Sequence, residues 1–416
     1  MSELNHLGKP ALHQAAGFFL ALLLLALEGP PAGAQLLPIN GGNTFVKGAN
    51  LAWLDGAYGH DIGINPIHPD WGCAYNATHM NQYLADMHNM GITVLRLWLN
   101  ENKQGLLLDG NGNVTGLDST FLNNLDNILQ IAAQDGIFLY LTLNQGDPDW
   151  LTNATQQASY INNAVKPIAA RYKGNQQIFA YDVMNEIDGV VGAPDGNHGS
   201  GATWAQAQAY ITATVSAIHS ADPGRLATCS TGWNKWYNLG YFKGLGLDFY
   251  DYHDYEDAPS LPPAASLGMD KPIYIGECGQ ALTSTSWDDA IQNTCELDAL
   301  NSAWSGGYAG VGIWDYEYPG CPDDVRAMVN PNASWRPVCY TIQDWIPGGG
   351  VWVDFSIAGP GAGTFGNPYN TLALGIANVP LNGTVDIKGP SSTPVTPTIS
   401  KPLILNASGG RVIIGQ

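Results

Sequence analysis

Charged residues are scarce in this chain of 416 residues: they make up 12% of it, about half of the usual quarter. Basic residues are the scarcer kind, with 16 lysines and arginines against 36 acidic residues and a net charge of −20. Such a surface repels nucleic acid and anionic membranes, so we expect neither as a partner. A composition rich in glycine, tryptophan and tyrosine instead suits a secreted protein that binds a neutral sugar polymer.

Spacings typical of metal ligands are also missing. The six cysteines form no Cys-x-x-Cys pair, and the nine histidines form no dense cluster. The stretch DGNGNVTGLD (109–118) follows a calcium-loop pattern for five positions, but Val114 stands where that loop needs glycine. A polar hairpin is therefore the preferred interpretation, and we predict neither a metal nor a cofactor.

A single long apolar run occurs, and it lies within the first 34 residues. AAGFFLALLLLALEG follows a weakly charged start with Lys9 and precedes the small-residue site Ala32-Gly33-Ala34. This pattern is typical of a signal peptide, and the run is short for a membrane span. We predict cleavage after Ala34 and a secreted or periplasmic monomer, with an uncleaved anchor as the alternative.

The cysteines of an exported chain can form disulfides. Six cysteines allow 15 pairings, so the sequence does not determine their connectivity. Cys321 and Cys339 bracket one loop-like segment and are the first candidates for a pair. Cys278 directly follows a strand-like run and is open to interpretation as a buried thiol.

Short apolar runs alternate with amphipathic stretches between about residues 44 and 316. The predicted strands are 45–54, 93–99, 138–143, 178–184, 226–230, 249–252, 273–276 and 310–314. Predicted helices lie between them: one with a stripe of Met80, Tyr83, Leu84, Met87 and Met90 ending at Gly91, one from Asp118/Ser119 to Gly136, and others over 155–172, 203–220 and 286–304.

Eight βα units in about 280 residues predict the α/β class and a (β/α)8 TIM barrel. The alternative is a doubly wound open sheet, although no glycine-rich phosphate loop follows the first strand. After Trp345 the chain becomes rich in glycine and proline, with one helical stretch (369–380) and three short β runs. We therefore predict a signal peptide (1–34), a catalytic barrel (35–347) and a small C-terminal β-rich module (348–416).

Unusual polar residues stand at the ends of the predicted barrel strands, where barrel enzymes place their active sites. A lone terminal glutamate is often a neighbour of a helix cap, but this chain has two on strands of one barrel, together with other polar and aromatic groups. The candidates are Arg96, Asn144, Asn185, Glu186, His253, Tyr255, Glu277 and Trp314.

Two carboxylates that face each other across a cleft are the groups that glycoside hydrolysis requires. One has to be protonated to release the leaving sugar, and the other has to be ionised to attack C1. Like charges close together raise one pKa and so separate the two roles. Arg96 would keep the nucleophile ionised, and Tyr255 would donate a hydrogen bond to it.

These strand ends resemble those of clan A glycoside hydrolases, most closely family 5, the cellulases and β-mannanases. The motifs are VLRLWL (94–99), VMNEIDG (183–189), DYHDY (251–255), IYIGECG (273–279) and GIWDYE (312–317). The resemblance implies that Glu186 is the acid/base, Glu277 the nucleophile and Asn185 a partner of the sugar 2-hydroxyl. Arg96, His253, Tyr255 and Trp314 match the accessory positions.

Two departures from the family pattern bear on the substrate. The usual Asn-Glu-Pro is Asn-Glu-Ile here, and Asn144 replaces the histidine that many family 5 cellulases carry after strand 3. The second departure resembles the mannanase branch. Among the tryptophans of the mouth-side loops, Trp150 and Trp233 are the predicted sugar-binding residues, since flat aromatic faces stack on sugar rings.

The C-terminal segment resembles the entry turns of a right-handed parallel β-helix, as in pectate-lyase-like proteins. Such solenoids need about three rungs to bury a core. A structural appendage is the simpler interpretation, and a carbohydrate-binding role is the alternative.

The leading hypothesis is a secreted retaining glycoside hydrolase that cleaves a β-1,4-linked polysaccharide of the mannan, glucomannan or cellulose type. An exo-acting β-glycosidase is the first alternative, because loop conformation decides between a pocket and a groove. A non-catalytic carbohydrate-binding barrel is the second, although a binding protein has little need of both glutamates.

Overall fold

The computed structural model describes residues 35–192, 201–257, 259–280, 288–316, 326–330, 332–381 and 383–415. Its strands are β1 (Leu37–Ile39), β2 (Gly42–Thr44), β3 (Val46–Leu51), β4 (Val94–Trp98), β5 (Leu106–Leu108), β6 (Val114–Leu117), β7 (Phe138–Thr142), β8 (Ile178–Asp182), β9 (Leu226–Thr228), β10 (Ser230–Thr231), β11 (Tyr250–Tyr255), β12 (Ile273–Gly279), β13 (Gly310–Ile313), β14 (Gly350–Val353), β15 (Thr384–Lys388), β16 (Ser391–Thr393), β17 (Ile404–Ser408) and β18 (Val412–Ile414).

The α-helices of this part of the chain are α1 (Ala77–Asn89), α2 (Ser119–Asp135), α3 (Asp149–Thr152), α4 (Ala154–Tyr160), α5 (Lys166–Arg171), α6 (Trp204–Ala221), α7 (Asp289–Gly306), α8 (Pro337–Asp344) and α9 (Leu372–Asn378). A π-helical turn, Ile161–Val165, joins α4 to α5. Short 3-10 helices lie at Leu54–Gly56, Pro69–Trp71, Glu101–Lys103, Ile187–Val190, Lys235–Phe242 and Ala264–Leu267.

Nine strands form one parallel sheet in the order β10-β11-β12-β13-β3-β4-β7-β8-β9. β9 and β10 are two pieces of one strand interrupted at Cys229, so the sheet returns to its starting point and has eight strand positions. The last strand, β13, pairs in parallel with the first, β3, from Gly310↔Val46 to Ile313↔Ala49. This confirms the predicted (β/α)8 barrel and excludes the doubly wound sheet.

Helix α2 starts and stops at the predicted signals. The side chain of Asp118 accepts a hydrogen bond from the amide of Phe121 and caps α2, which ends at the left-handed Gly136. Asn76 caps α1 in the same way. The predicted α1 stripe is buried throughout: Met80, Tyr83, Leu84, Met87 and Met90. The 109–118 stretch forms the turn and second strand of the antiparallel β5–β6 hairpin, as expected.

The strands separate two hydrophobic cores. The larger core lies between the strands and the helices, and a smaller cluster fills the interior of the barrel near the amino ends of its strands. There Tyr140 packs edge-to-face against Phe179 and Tyr274. A Cβ atom at Gly48 would lie 2.4 Å from the hydroxyl oxygen of Tyr274, so glycine leaves room for this ring. Aromatic rings fill this part of the interior, and the hydroxyl of Tyr140 donates to the buried carboxylate of Asp251 at 2.6 Å.

The C-terminal segment forms two parallel sheets, β14-β15-β17 and β16-β18. Val351, Val353, Val385 and Ile387 contribute to a hydrophobic cluster of its own. The segment also contacts the barrel, since the amide of Phe365 donates to Oδ1 of Asp344, at the end of α8. The predicted β runs are present, together with β14 and β16, which the sequence did not indicate. The boundary near 347 and the pectate-lyase likeness remain predictions.

Several predictions concern residues outside the described ranges. The signal peptide, 1–34, is one of them, and Cys321 of the suggested Cys321–Cys339 pair is another. Cys73, Cys229, Cys278, Cys295 and Cys339 form no disulfide with one another, and Cys278 is a buried thiol. Across the described ranges, no helix has the length and apolarity needed to cross a membrane.

Removal of residues 348–416 should leave a soluble barrel, because the C-terminal segment has its own hydrophobic cluster and the barrel closes without it. Activity of the truncated protein should stay within about twofold of the full chain, as for an independently folding unit. Circular dichroism melts and hydrolysis assays on both proteins would measure this. Loss of soluble protein would show that the segment completes the core of the barrel.

Candidate active site

Two glutamates lie at the carboxyl ends of opposed barrel strands. Glu277 belongs to β12, and Glu186 follows β8 by four residues. One carboxylate oxygen of each, together with Nδ1 of His253, lies within 4.8 Å of the others. The fold therefore brings together the three groups that the sequence predicted at three separate strand ends.

The guanidinium of Arg96 lies between the two glutamate-bearing strands and is 1% exposed. Its Nη1 donates to Oε1 of Glu277, and its Nη2 donates to Oδ2 of Asp182 and to Oδ1 of Asn185, both at 2.7 Å. Asn50 and Ser230 accept longer bonds of 3.3 Å from the same group. Arg96 is thus enclosed by protein and positions the residues around it.

Glu277 receives hydrogen bonds on both carboxylate oxygens. Arg96 donates to Oε1, and the hydroxyl of Tyr255 donates to Oε2 at 2.5 Å. Nδ1 of His253 lies 3.2 Å from the same Oε2. Glu277 is 3% exposed, so these hydrogen bonds replace the water that its carboxylate oxygens would otherwise bind.

Glu186 lies in a different environment. Its backbone is left-handed (φ 43°, ψ 54°), and its amide donates to Oγ of Ser230 at 3.0 Å. Burial, followed by the charge of Asp188, raises the pKa of its carboxyl group to about 7. This carboxyl group therefore keeps its proton at a higher pH than an ordinary glutamate does, although the charge of Arg96 acts in the opposite direction.

His253 connects the two glutamates, with its Nδ1 2.7 Å from Oε1 of Glu186. Burial lowers the pKa of its imidazole to about 4, so the ring is neutral near pH 7 and carries one proton. Its Nε2 is buried and has no hydrogen-bond partner among the described residues. We infer that the ring proton is on Nδ1, where the carboxylates accept it.

Aromatic side chains form one wall of the site. Trp314 packs edge-on against Trp98 and Trp53, with ring centroids 5.7 and 6.2 Å apart. Tyr255 packs against the same cluster. Trp233 follows β10 and is 45% exposed, whereas Trp314 is 8% exposed. Trp233 is therefore the more accessible ring for stacking on a sugar.

A family model described as Cellulase (glycosyl hydrolase family 5) matches residues 55–306, more than half of the chain. The chain belongs to glycosyl hydrolase family 5. It is an O-glycosyl hydrolase, and the matched region contains both glutamates.

Relatives agree with this assignment. The chain is 25% identical over 320 residues to a mannan endo-1,4-beta-mannosidase of Mytilus edulis, covering 65% of this chain and 85% of the relative. It is 26% identical over 364 residues to the enzyme of the same name from Cryptopygus antarcticus, covering 73% and 91%. The crystal structure of an endo-1,4-beta-mannanase from Eisenia fetida superposes with a TM-score of 0.55 at 25% identity, covering 76% and 99%.

Two of the predicted sugar-binding residues of this family 5 site do not face the cleft. Trp150 is 1% exposed and stacks on Tyr160, with ring centroids 4.5 Å apart. Asn144 is also buried, and its Nδ2 donates to the carbonyl of Val183 and to the hydroxyl of Tyr210. Both side chains are therefore buried, and the substrate-binding role of Trp150 and Asn144 stays a prediction.

Other residues of the family 5 site were missed. Asp182, Ser230 and Asn50 contact Arg96, and Asp188 lies beside Glu186. A signal for Asp182 exists, since a carboxylate inside the apolar run IFAYDVM needs a buried partner. No comparable signal marks Asn50 or Ser230, because small polar residues are common in strands that pack on both faces.

The same cluster has the donor set of a cation site, since Glu186, His253 and Glu277 offer three ligand atoms close together. Two carboxyl groups this close together are also the pair that glycoside hydrolysis requires.

Arg96→Met should destabilise the family 5 barrel strongly, since it leaves Glu277 and Asp182 buried without their cation. We expect a loss of about 3–5 kcal/mol in the free energy of unfolding. Arg171→Met is the matched control, because the Arg171–Asp126 pair is about 40% exposed on both sides, and its loss should cost about 1 kcal/mol or less. Urea unfolding of the three proteins would measure both effects, and equal losses would contradict the role of Arg96.

Proposed function

We propose that this protein is a secreted, retaining endo-β-1,4-mannanase. The observation that carries the proposal is the pair of carboxylates, whose nearest ligand atoms lie within 4.8 Å. Retaining glycosidases place their carboxyl groups about 5–5.5 Å apart, whereas inverting enzymes need about 6.5–9.5 Å to admit a water molecule. The short separation favours a covalent intermediate over direct attack by water.

In the first step, the carboxylate of Glu277 attacks C1 of the sugar on the non-reducing side of the bond. Glu186 transfers its proton to the glycosidic oxygen as the C1–O bond breaks, and the leaving sugar departs as an alcohol. A bond now joins C1 to Glu277, and Glu186 is a carboxylate. Asn185, whose Oδ1 is held by Arg96, is positioned to donate from Nδ2 to the sugar 2-hydroxyl.

In the second step, the Glu186 carboxylate accepts a proton from a water molecule, whose oxygen attacks C1 from the side that the leaving group vacated. The bond between C1 and Glu277 breaks, and Glu277 returns to its carboxylate form. Two inversions at C1 give net retention of configuration. Arg96 and Tyr255 stabilise the returning charge on Glu277 by the bonds they already make.

The choice of mannan rests on the relatives, which are named mannan endo-1,4-beta-mannosidases. A neutral polymer also suits a chain with a net charge of −20, because no attraction to an ionic substrate is needed. The predicted signal peptide supports secretion, and we propose that the protein acts as a monomer. The parallel sheets of the C-terminal segment support its interpretation as the start of a β-helix with a structural role.

On a panel of mannan, glucomannan, carboxymethylcellulose and xylan, we expect the highest kcat/KM on the mannan-type polymers. Early products should be oligosaccharides of several lengths, because endo cleavage needs no chain end. Reducing-sugar assays combined with chromatography of the products would test this. Release of one small sugar from the start would favour the exo-acting alternative, and no hydrolysis of any polymer would favour a binding barrel.

Glu186→Ala and Glu277→Ala should differ in their substrate dependence. Glu186→Ala should lower hydrolysis of polymer by about 10²–10⁴-fold, since general acid catalysis is lost. The loss should be smaller on a nitrophenyl glycoside, whose leaving group needs no proton, and azide should partly restore turnover. Glu277→Ala should be inactive on every substrate, because no covalent intermediate forms. Equal losses for both variants on both substrates would contradict the assigned roles.

A further inference from the structure

Asp188 lies two residues beyond Glu186 and is fully buried. Its carboxylate accepts five hydrogen bonds, all from residues 231–238, which comprise the end of β10, the loop after it and the start of the next 3-10 helix. The donors are the Thr231 hydroxyl, the amides of Gly232 (3.0 Å), Trp233 (3.1 Å) and Asn234 (3.3 Å), and Nδ2 of Asn238 (2.8 Å). Three consecutive amides that point at one carboxylate form an anion-binding nest, so this loop is folded around Asp188.

The loop held by Asp188 contacts the acid/base directly. A Cβ atom at Gly232 would lie 2.0 Å from Oε1 of Glu186, so the glutamate packs against bare backbone at this position. Ser230, at the start of the same segment, accepts the hydrogen bond from the Glu186 amide. A shift of this loop would therefore move the surface on which the carboxyl group of Glu186 rests.

The same loop presents Trp233. A Cβ atom at Gly189 would lie 2.3 Å from Nε1 of Trp233, so the indole edge packs against the residue that follows Asp188. The ring is 45% exposed. An indole with a fixed edge and an open face is suited to stack on a sugar ring.

We propose that Asp188 is a positioning residue that fixes Trp233 as a stacking surface for the leaving-group sugar beside the proton donor Glu186. The inference rests on the function proposed above. The acid/base contacts the glycosidic oxygen, so a ring next to Glu186 meets the leaving group. In the sheet, β10 is separated from β12, which carries Glu277, by β11, so Trp233 belongs to the Glu186 side of the cleft.

The negative charge of Asp188 also acts on Glu186. The ionisable groups around Glu186 are Arg96 on β4, Asp182 on β8, His253 and Tyr255 on β11, and Glu277 on β12. After burial, Asp188 is the largest contributor to the raised pKa of Glu186, while Arg96 opposes it. Removal of the Asp188 charge should lower the pKa of Glu186, so the acid form should be lost at a lower pH.

Asp188→Asn keeps the shape of the side chain and removes its charge. In wild type, kcat/KM should fall at alkaline pH with a midpoint near pH 7, where Glu186 loses its proton. In Asp188→Asn we expect this alkaline limb of the pH profile to lie about 0.5–1 pH unit lower. KM for polymer should rise about 3- to 10-fold, and KM for a glycosyl fluoride, whose leaving group is too small to stack on Trp233, should change little. Asp222→Asn is the matched control, because Asp222 is a buried aspartate at the far end of α6 that bonds Arg225 and the amide of Gly174.

Trp233→Ala separates the two effects, since it should raise KM for polymer without moving the alkaline limb. Thr231→Val removes one donor to Asp188 without changing charge, so it should raise KM for polymer by a smaller factor and leave the alkaline limb in place. This variant also tests the positioning role if Asp188→Asn does not fold. Wild-type KM for polymer in Asp188→Asn or in Thr231→Val would overturn the positioning role. An alkaline limb of Asp188→Asn at the same pH as in wild type would overturn it as well.

The kinetics should be measured on whichever β-1,4 polymer wild type hydrolyses. Failure on mannan with activity on another polymer would correct the substrate and leave the comparison of variants intact. A wild-type protein that hydrolyses no polymer would overturn the proposed function and the role of Asp188 together.

Discussion

The buried guanidinium of Arg96 is the interaction on which the polar end of the barrel depends. It bonds Glu277, Asp182 and Asn185, which come from the ends of two different strands. Without a cation, carboxylates at this depth would lose hydration with no compensation, and they would take up protons or force the strand ends apart. The planar group with several donors also sets their distances, which a lysine could not do. The arrangement therefore stabilises the strand ends and positions Glu277 and Asn185 at the same time.

Two glutamates of identical chemistry acquire different properties from what surrounds them. Glu277 is contacted by Arg96 and Tyr255, both of which favour its ionised form. Glu186 rests on the backbone of Gly232 beside Asp188, and its pKa rises to about 7. His253 lies between them as a neutral ring, because burial opposes its protonation. The proposed double displacement needs such a difference between the two glutamates, and here it comes first from burial and then from the charges of Asp188 and Arg96.

Hydrogen bonding and packing give different surroundings to residues that occupy similar positions in the sequence. Trp150 and Trp233 follow strands in similar loops, yet Trp150 stacks on Tyr160 in the core and Trp233 has an open face. Asn144 stands at a strand end, as Asn185 does, but its donors are used by Val183 and Tyr210. Position along a strand indicates which end of the barrel a residue occupies. It does not indicate whether a helix behind that end already contacts the side chain.

The sequence by itself determined the alternation of strands and helices, the helix caps and the two glutamates, because these depend on local periodicity and on motifs within a few residues. It also predicted the contacts of Arg96 and Tyr255 with the nucleophile, since parallel strands bring their carboxyl ends together. Only the tertiary structure decided the separation of the carboxylates, the raised pKa of Glu186, the burial of Trp150 and the five bonds to Asp188. Those properties depend on distances between residues far apart in the chain, and they arise when the barrel closes and excludes water.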